Sequence, residues 1–212
     1  MNKIIAIDGP TASGKGTIAK RIAKYFNIPY LNTGGLYRSV ALYLYKNNLV
    51  EFTSEDEVIN ILNDVDFSDL DNEELYTENI GVIASKVAVI QKVRDFLFDF
   101  QRQFALQKNG AVLDGRDIGT VICPEASFKF YITAVTEERA RRRYLEMKSK
   151  GKDVSYETIL QQLIERDKKD TERANSPLKK ADDAIAVDTT NLDKEEAFET
   201  VLKHVMESGF GR

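Results

Sequence analysis

Residues 9–17 read Gly9-Pro10-Thr11-Ala12-Ser13-Gly14-Lys15-Gly16-Thr17 and follow the apolar run Ile4-Ile5-Ala6-Ile7-Asp8. These are the residue types a backbone needs to wrap a row of phosphates. Gly9 and Gly14 permit a tight turn that aims N–H groups inward, and the positive end of a following helix adds to the field. Lys15 reaches the outer phosphates as a point charge. The chemistry this spacing points to is the binding of a nucleoside triphosphate by residues 9–17 as a unit. Gly16 follows the lysine where the common form of the loop has Ser or Thr, and the hydroxyl comes one place later at Thr17. That variation points away from GTPases and motor ATPases and towards small-molecule kinases.

Three further segments carry polar residues at spacings that suit a second substrate. In Asn32-Thr33-Gly34-Gly35-Leu36-Tyr37-Arg38, Thr33 is expected to cap a helix whose first turn is Gly34-Gly35-Leu36. A helix start with two glycines is a second anion site. Tyr37 shares a face with Thr33, and Arg38 follows. The competing reading is an ordinary capped helix with a surface arginine. Asp114-Gly115-Arg116-Asp117-Ile118-Gly119 follows a second apolar strand. Asp114 is placed to orient Mg²⁺ through its waters, with Thr17 the other candidate near the metal. Arg116 offers a planar fork for phosphate. Asp117 accepts hydrogen bonds only, which suits an exocyclic amine. A tight turn with surface ion pairs competes with this reading.

The run Glu165–Arg173 has the look of a solvated helix, yet Arg166, Asp170 and Arg173 share one helical face while Lys168 and Lys169 point away. Arg139, Arg141, Arg142 and Arg143 crowd another helix, and Arg139, Arg142 and Arg143 can share a face. With the break at Gly151 they predict a mobile lid, about residues 139–158, over the donor phosphates. A solvated basic helix competes with it.

These residues need a scaffold, and the pattern supplies one. Short apolar strands at 3–7, 29–31, 111–114, 128–132 and 184–188 alternate with helices at about 14–26, 33–47, 136–149, 155–172 and 194–207. The alternation argues for an α/β fold, a parallel five-stranded sheet covered on both faces. Ligands then sit at the carboxyl ends of the strands, which gathers residues 9–17, 31–38 and 114–119. Residues 51–80 are acidic and irregular, with a helix expected near 54–63 and a short hairpin at 64–78. Helices are expected at about 79–90 and 92–107, the second with Val93, Leu97, Phe100 and Phe104 as a core stripe.

The 212-residue chain has a net charge of −4, which gives no general field for nucleic acid or anionic membranes. The single Cys123 can make no intramolecular disulfide and reads as a packed residue. No apolar run reaches membrane-span length, and the N-terminal run is too short for a secretory signal. A cytoplasmic protein is the expectation. The single histidine, His204, reads as structural.

The segments Ile7–Pro10, Gly14–Thr17, Asn32–Arg38, Val93-Arg94, Asp114–Gly119 and Glu165–Arg173, in this order, resemble the bacterial-type cytidylate kinases, a branch of the nucleoside monophosphate kinases. The resemblance covers most of the chain. It implies a single P-loop NTPase-like three-layer domain with a helical lid and a part that binds the nucleoside monophosphate (NMP), inserted at about residues 36–92. It further implies that Thr33, Arg94, Asp117 and Arg173 contact cytosine. Ser85, Arg166 and Asp170 would hold the pentose, and Arg38 and Arg116 the acceptor phosphate. Thr33 stands where the family often has Ser. The implied reaction is transfer of the γ-phosphoryl group of ATP to CMP or dCMP by a monomer. Lys15, Mg²⁺ and the arginines Arg38, Arg116, Arg139, Arg142 and Arg143 would stabilise the migrating charge. Kinases for UMP, AMP or shikimate, and an ATP-driven switch protein, are the alternatives.

Overall fold

The computed structural model describes residues 3–51 and 55–207. Five strands form one parallel sheet: β1 (Ile4–Asp8), β2 (Tyr30–Asn32), β3 (Ala111–Gly115), β4 (Phe128–Thr133) and β5 (Ile185–Asp188), in the order β2-β3-β1-β4-β5. β1 lies at the centre, in register with β3 (Ile7 beside Asp114) and with β4 (Ile7 beside Phe130). Every residue of β1 and β3 is buried, as continuous apolar runs covered on both faces require. β5 is an edge strand, buried only at Val187.

The chain divides into two compact units, residues 1–30 with 105–212, and residues 31–104. In the first, helices α1 (Lys15–Phe26) and α8 (Lys194–Glu207) pack on the sheet. Ile18 and Ile22 of α1 and Val201 and Val205 of α8 meet Ile5, Ile7, Val112 and Phe130 in one apolar cluster. Each such side chain contributes roughly 1.5–3 kcal/mol on burial. The last stretch of this unit before β5 is a helical pair, α6 (Thr136–Ser149) and α7 (Tyr156–Glu172). The pair has a small core of its own, Ala140, Met147, Ile159 and Leu163. Gly151 turns the chain between them at φ 71°, a conformation that favours glycine.

The second unit is helical. It holds α2 (Thr33–Lys46), α3 (Glu55–Asn60), α4 (Glu78–Val87) and α5 (Gln91–Ala105). The helix expected near 54–63 is α3 followed by a 3₁₀ turn at Leu62–Asp64, and residue 54 lies outside the described residues.

The expected hairpin at 64–78 does not form. Asp66, Asp69 and Asn72 each accept a hydrogen bond from the backbone N–H two residues on, at Ser68, Asp71 and Glu74. These local bonds turn the chain repeatedly and end in a 3₁₀ turn at Glu73–Tyr76, so no run is left to pair as strands. The α5 stripe differs as well. Val93 and Leu97 are buried, but Phe100 is 38% exposed and packs against Phe67 at 5.9 Å between ring centres. Gln101 takes the buried position instead, donating to Leu97 O. The expected cap of α2 also moves by one residue. Asn32, in extended backbone, accepts the Gly35 N–H at 3.3 Å, and Thr33 is already helical and buried.

Candidate active site

The loop after β1 owes its shape to two glycines. A side chain on Gly9 would begin 2.0 Å from the Ile132 carbonyl oxygen, so residue 9 must be glycine for the loop to lie on β4. Gly14, at φ 89°, opens α1 without a side-chain cap, and no acidic residue lies in the first turn of that helix. The donors and dipole of α1 therefore face the loop with no anion from the chain itself. Lys15 lies back across the loop and donates to Pro10 O at 3.2 Å. Ser13 is buried, and its hydroxyl has no hydrogen-bond partner. Thr17 is exposed on the first turn of α1.

Around this loop the first unit assembles a set of desolvated charges. Burial, reinforced by the Arg116 charge, pulls the Lys15 ammonium down from 10.5 to about 7. Burial and the same Arg116 bring Arg166 down to about 10, and Arg143 adds to the effect. The Nε of Arg166 is buried with no hydrogen-bond partner. Arg116 is fixed in three directions. It donates to Asp170 at 2.7 Å, to the Thr11 hydroxyl at 2.7 Å and to Gly115 O at 3.2 Å. Burial opposes ionisation of Asp170, but Arg116 and Arg166 outweigh it and hold the carboxyl below its usual range. Lys15, Arg116 and Arg166 thus press on one another beside a loop whose own donors await an anion.

Asp114 is buried at the end of β3 and accepts the Tyr30 hydroxyl at 2.8 Å. Burial pushes its carboxyl up, against the pull of Lys15 and of the Tyr30 hydrogen bond. A Cβ on Gly16 would stand 3.6 Å from the Asp114 carboxylate and 3.7 Å from the Tyr30 hydroxyl. These are ordinary contact distances, so a small side chain would fit there and line the space between the helix start and this carboxylate. Among the described residues there is no cluster of three metal-ligating side chains. One carboxylate with a nearby hydroxyl is a hard-oxygen set of the kind that holds Mg²⁺ through waters and phosphates.

Asp117 and Arg173 approach each other, with 3.8 Å between Oδ1 and the guanidinium, both nearly buried. Arg173 stands just past the end of α7 and donates to Ser176 O, so it leaves the helical face shared by Arg166 and Asp170. Arg139, Arg142 and Arg143 do not converge on one point. Arg139 is 3% exposed and runs into the first unit, donating to Ala134 O, Thr11 O, Thr136 and Asp167. Arg142 bonds the Thr189 hydroxyl and backbone, and Arg143 pairs with Glu146.

In the second unit, Arg38 donates to Leu75 O at 2.6 Å and lies 5.5 Å from the Tyr76 ring. Arg94 is buried, donates to Ala88 O at 3.2 Å and lies 5.7 Å from the Tyr37 ring. Thr33 is buried at the start of α2. Ser85 donates its hydroxyl to Gly81 O within α4.

Sequence reasoning overlooked Asp8. Its carboxylate accepts the N–H groups of Ile118 at 2.9 Å and Gly119 at 2.8 Å, and it is 5% exposed. The signal was present: a carboxylate at the end of an otherwise apolar central strand is costly to bury without purpose.

A parallel sheet with a phosphate-binding loop after its central strand, a buried cationic cluster beside that loop and a carboxylate at the end of β3 defines a P-loop phosphotransferase. The sequence profile of the family described as "Cytidylate kinase" matches residues 5–207. The cytidylate kinase of Xanthobacter autotrophicus is 48% identical over 210 residues, covering 99% of this chain and all of that one. That of Methylocella silvestris is 47% identical, covering 94% and 92%. A solved structure of an uncharacterized protein from Eubacterium ventriosum shares the fold, with a TM-score of 0.55, 17% identity and coverage of 98% and 99%. The chain belongs to the cytidylate kinase family.

Proposed function

We infer that the chain transfers the γ-phosphoryl group of ATP to CMP or dCMP, giving CDP or dCDP and ADP. The observation that carries this reading is the buried cluster of Lys15, Arg116 and Arg166 beside the glycine loop. Mutually repelling, desolvated cations gain most from phosphates, and phosphoryl transfer asks a protein chiefly for positioning and charge stabilisation. In this reading the donors of residues 9–17 hold the ATP phosphates. Lys15 and Arg116 offset charge on the migrating group, Arg143 adds to the field, and Arg38 and Arg116 hold the acceptor phosphate. Arg139 and Arg142 brace the loop and the α6–α7 pair, which serves as the lid.

Asp117, with Arg173, Arg94 and Thr33, reads the cytosine, while Arg166, Asp170 and Ser85 face the pentose. Tyr37 lies along Arg94 and steadies it. Cytosine offers an amine where uracil offers an oxygen, and an aspartate accepts the first and opposes the second. Asp114 and Thr17 would hold Mg²⁺ through waters, and the ion would supply charge neutralisation to the ATP phosphates. A monomer working in the cytoplasm, in pyrimidine nucleotide metabolism and without nucleic acid, completes the proposal. Among the described residues no helix is long and apolar enough to cross a membrane.

A coupled assay of ADP release with CMP, dCMP, UMP and AMP tests the reading. Turnover with CMP and dCMP well above the other two is expected. No turnover with CMP beside good turnover with AMP would overturn it.

A further inference from the structure

β5 is an edge strand with most of its residues exposed, yet Thr189, directly after it, is 1% exposed. Its hydroxyl stands where three segments meet. The oxygen accepts from Nη1 of Arg142, on α6, at 3.0 Å. The proton has two carbonyls in reach at 3.1 Å each, Ser13 O in the phosphate loop and Thr133 O at the end of β4. The backbone of residue 189 is clamped as well. Its N–H donates to Thr133 O at 2.8 Å, and its carbonyl accepts from Arg142.

We propose that Thr189 is a positioning residue for the phosphate donor: its hydroxyl sets the Ser13 peptide of the loop and ties it to α6 through Arg142. The proposal rests on the reading of residues 9–17 as the site of the ATP phosphates.

The loop needs holding at this place. Ser13 lies between Ala12 at φ 61° and Gly14 at φ 89°, and a left-handed alanine persists only where surrounding bonds over-determine it. The Ser13 side chain does not hold the loop, because its hydroxyl is buried with no hydrogen-bond partner. The carbonyl is held instead, by Thr189. In a planar trans peptide the C=O and the next N–H point in opposite directions. Drawing Ser13 O towards Thr189 therefore aims the Gly14 N–H the other way, as a donor for phosphate. The loop is tied in the same manner two residues earlier. Arg139 donates to Thr11 O at 3.1 Å, and Arg116 to the Thr11 hydroxyl at 2.7 Å. Arg139 and Arg142 both belong to α6, so one helix grips the loop at two points, directly at Thr11 and through Thr189 at Ser13.

The test is the KM for ATP at saturating CMP and the KM for CMP at saturating ATP, in the wild type, Thr189→Val, Thr189→Ser and Lys15→Ala. Thr189→Val keeps nearly the same volume and removes the hydroxyl. Its KM for ATP is expected to rise about three- to tenfold, with the KM for CMP within about twofold of wild type. Thr189→Ser restores the hydroxyl and should bring both values to within about twofold of wild type. Lys15→Ala probes the underlying reading, and its kcat/KM for ATP should fall by about 10³-fold.

An unchanged KM for ATP in Thr189→Val, beside the expected loss in Lys15→Ala, overturns the proposal and leaves the loop reading standing. A rise in both KM values together, or a fall in kcat alone with lower stability in urea, overturns it in the same way by assigning Thr189 to the scaffold. A KM for ATP that stays high in Thr189→Ser also overturns it, since the hydroxyl is then not the group that acts. Near-normal kcat/KM for ATP in Lys15→Ala overturns the loop reading and the proposal with it. Should Thr189→Val fail to fold, Thr189→Ala removes the same hydroxyl and leaves room for a water. A KM for ATP about two- to fivefold higher is expected there, and a wild-type value counts against the proposal.

Discussion

In the unit built on the sheet, the loops at the strand ends are stitched together by bonds between residues far apart in sequence. Arg116 reaches Thr11, Arg139 reaches Thr11 O, Thr189 reaches Ser13 O and Asp8 holds Ile118 and Gly119. The unit spanning residues 31–104 has a few long-range bonds, such as Arg38 to Leu75 O and Asn32 to the Tyr76 hydroxyl, but its turns are stitched at short range. Asp66, Asp69 and Asn72 bond the backbone two residues on, Asn32 three residues on, and Ser85 the carbonyl four residues back. Long-range stitching fixes the phosphate loop before any nucleotide arrives, because each loop is defined by the others. Short-range stitching shapes one turn at a time and transmits little. Substitutions in the first unit should therefore be felt across the site, and those in the turns of the second should stay local.

The strongest test removes Lys15. Lys15→Ala should lower kcat/KM by about 10³-fold through lost charge stabilisation, while the unfolding midpoint in urea holds or rises, because a buried and repelled cation has gone. Near-normal turnover would break the assignment of the cluster to phosphate. Next comes Arg116→Ala, which unties Asp170 and Thr11 together. A loss of about 10²-fold in kcat/KM, with about 2–3 kcal/mol of stability, is expected, since it takes the 2.7 Å ion pair from a largely buried carboxylate. A purely catalytic defect at full stability would argue against the long-range stitching.

A smaller effect is expected from pH. Burial pushes Asp8 up to about 7 from 3.8, with Asp117 adding and Lys15 opposing. The carboxyl ionises at a lower pH in the unfolded chain than in the folded one, so stability in urea should fall as pH rises from about 4 to about 7, and this part of the slope should vanish in Asp8→Asn. Smallest of all, Asn72→Ala should cost about 1 kcal/mol in urea unfolding and leave both KM values in place. A changed KM for CMP would show that the second unit is less local than its bonds imply.

The same contrast explains what could be read from the sequence. The strands of the first unit were legible because they are buried on both faces and hence uniformly apolar. The phosphate loop was legible because glycine at 9 and 14 answers to backbone geometry alone. Long-range bonds leave no local trace, so Asp8 passed for the end of a strand, and Arg139 for a lid residue when it runs under the loop to Thr11 O. In the second unit the error had another source. Asp66, Asp69 and Asn72 compete with strand pairing through their own side chains, and polar spacing does not distinguish a hairpin from a series of such turns. Asn32 and Thr33 are both good caps, and only backbone angles decide between them.

The register of β1 sets a problem of timing. Its partners on both sides, Ala111–Gly115 and Phe128–Tyr131, lie more than a hundred residues downstream. On a ribosome the strand Ile4–Ile7 emerges before either neighbour and waits about 5–20 s for one, at ordinary rates of synthesis. During that wait residues 31–104 are all synthesised and can form their helices, while the future centre of the sheet is still an unpaired apolar strand. The central strand of the sheet is therefore made before its partners and among the last elements satisfied, and protection of the nascent chain matters most around residues 4–8.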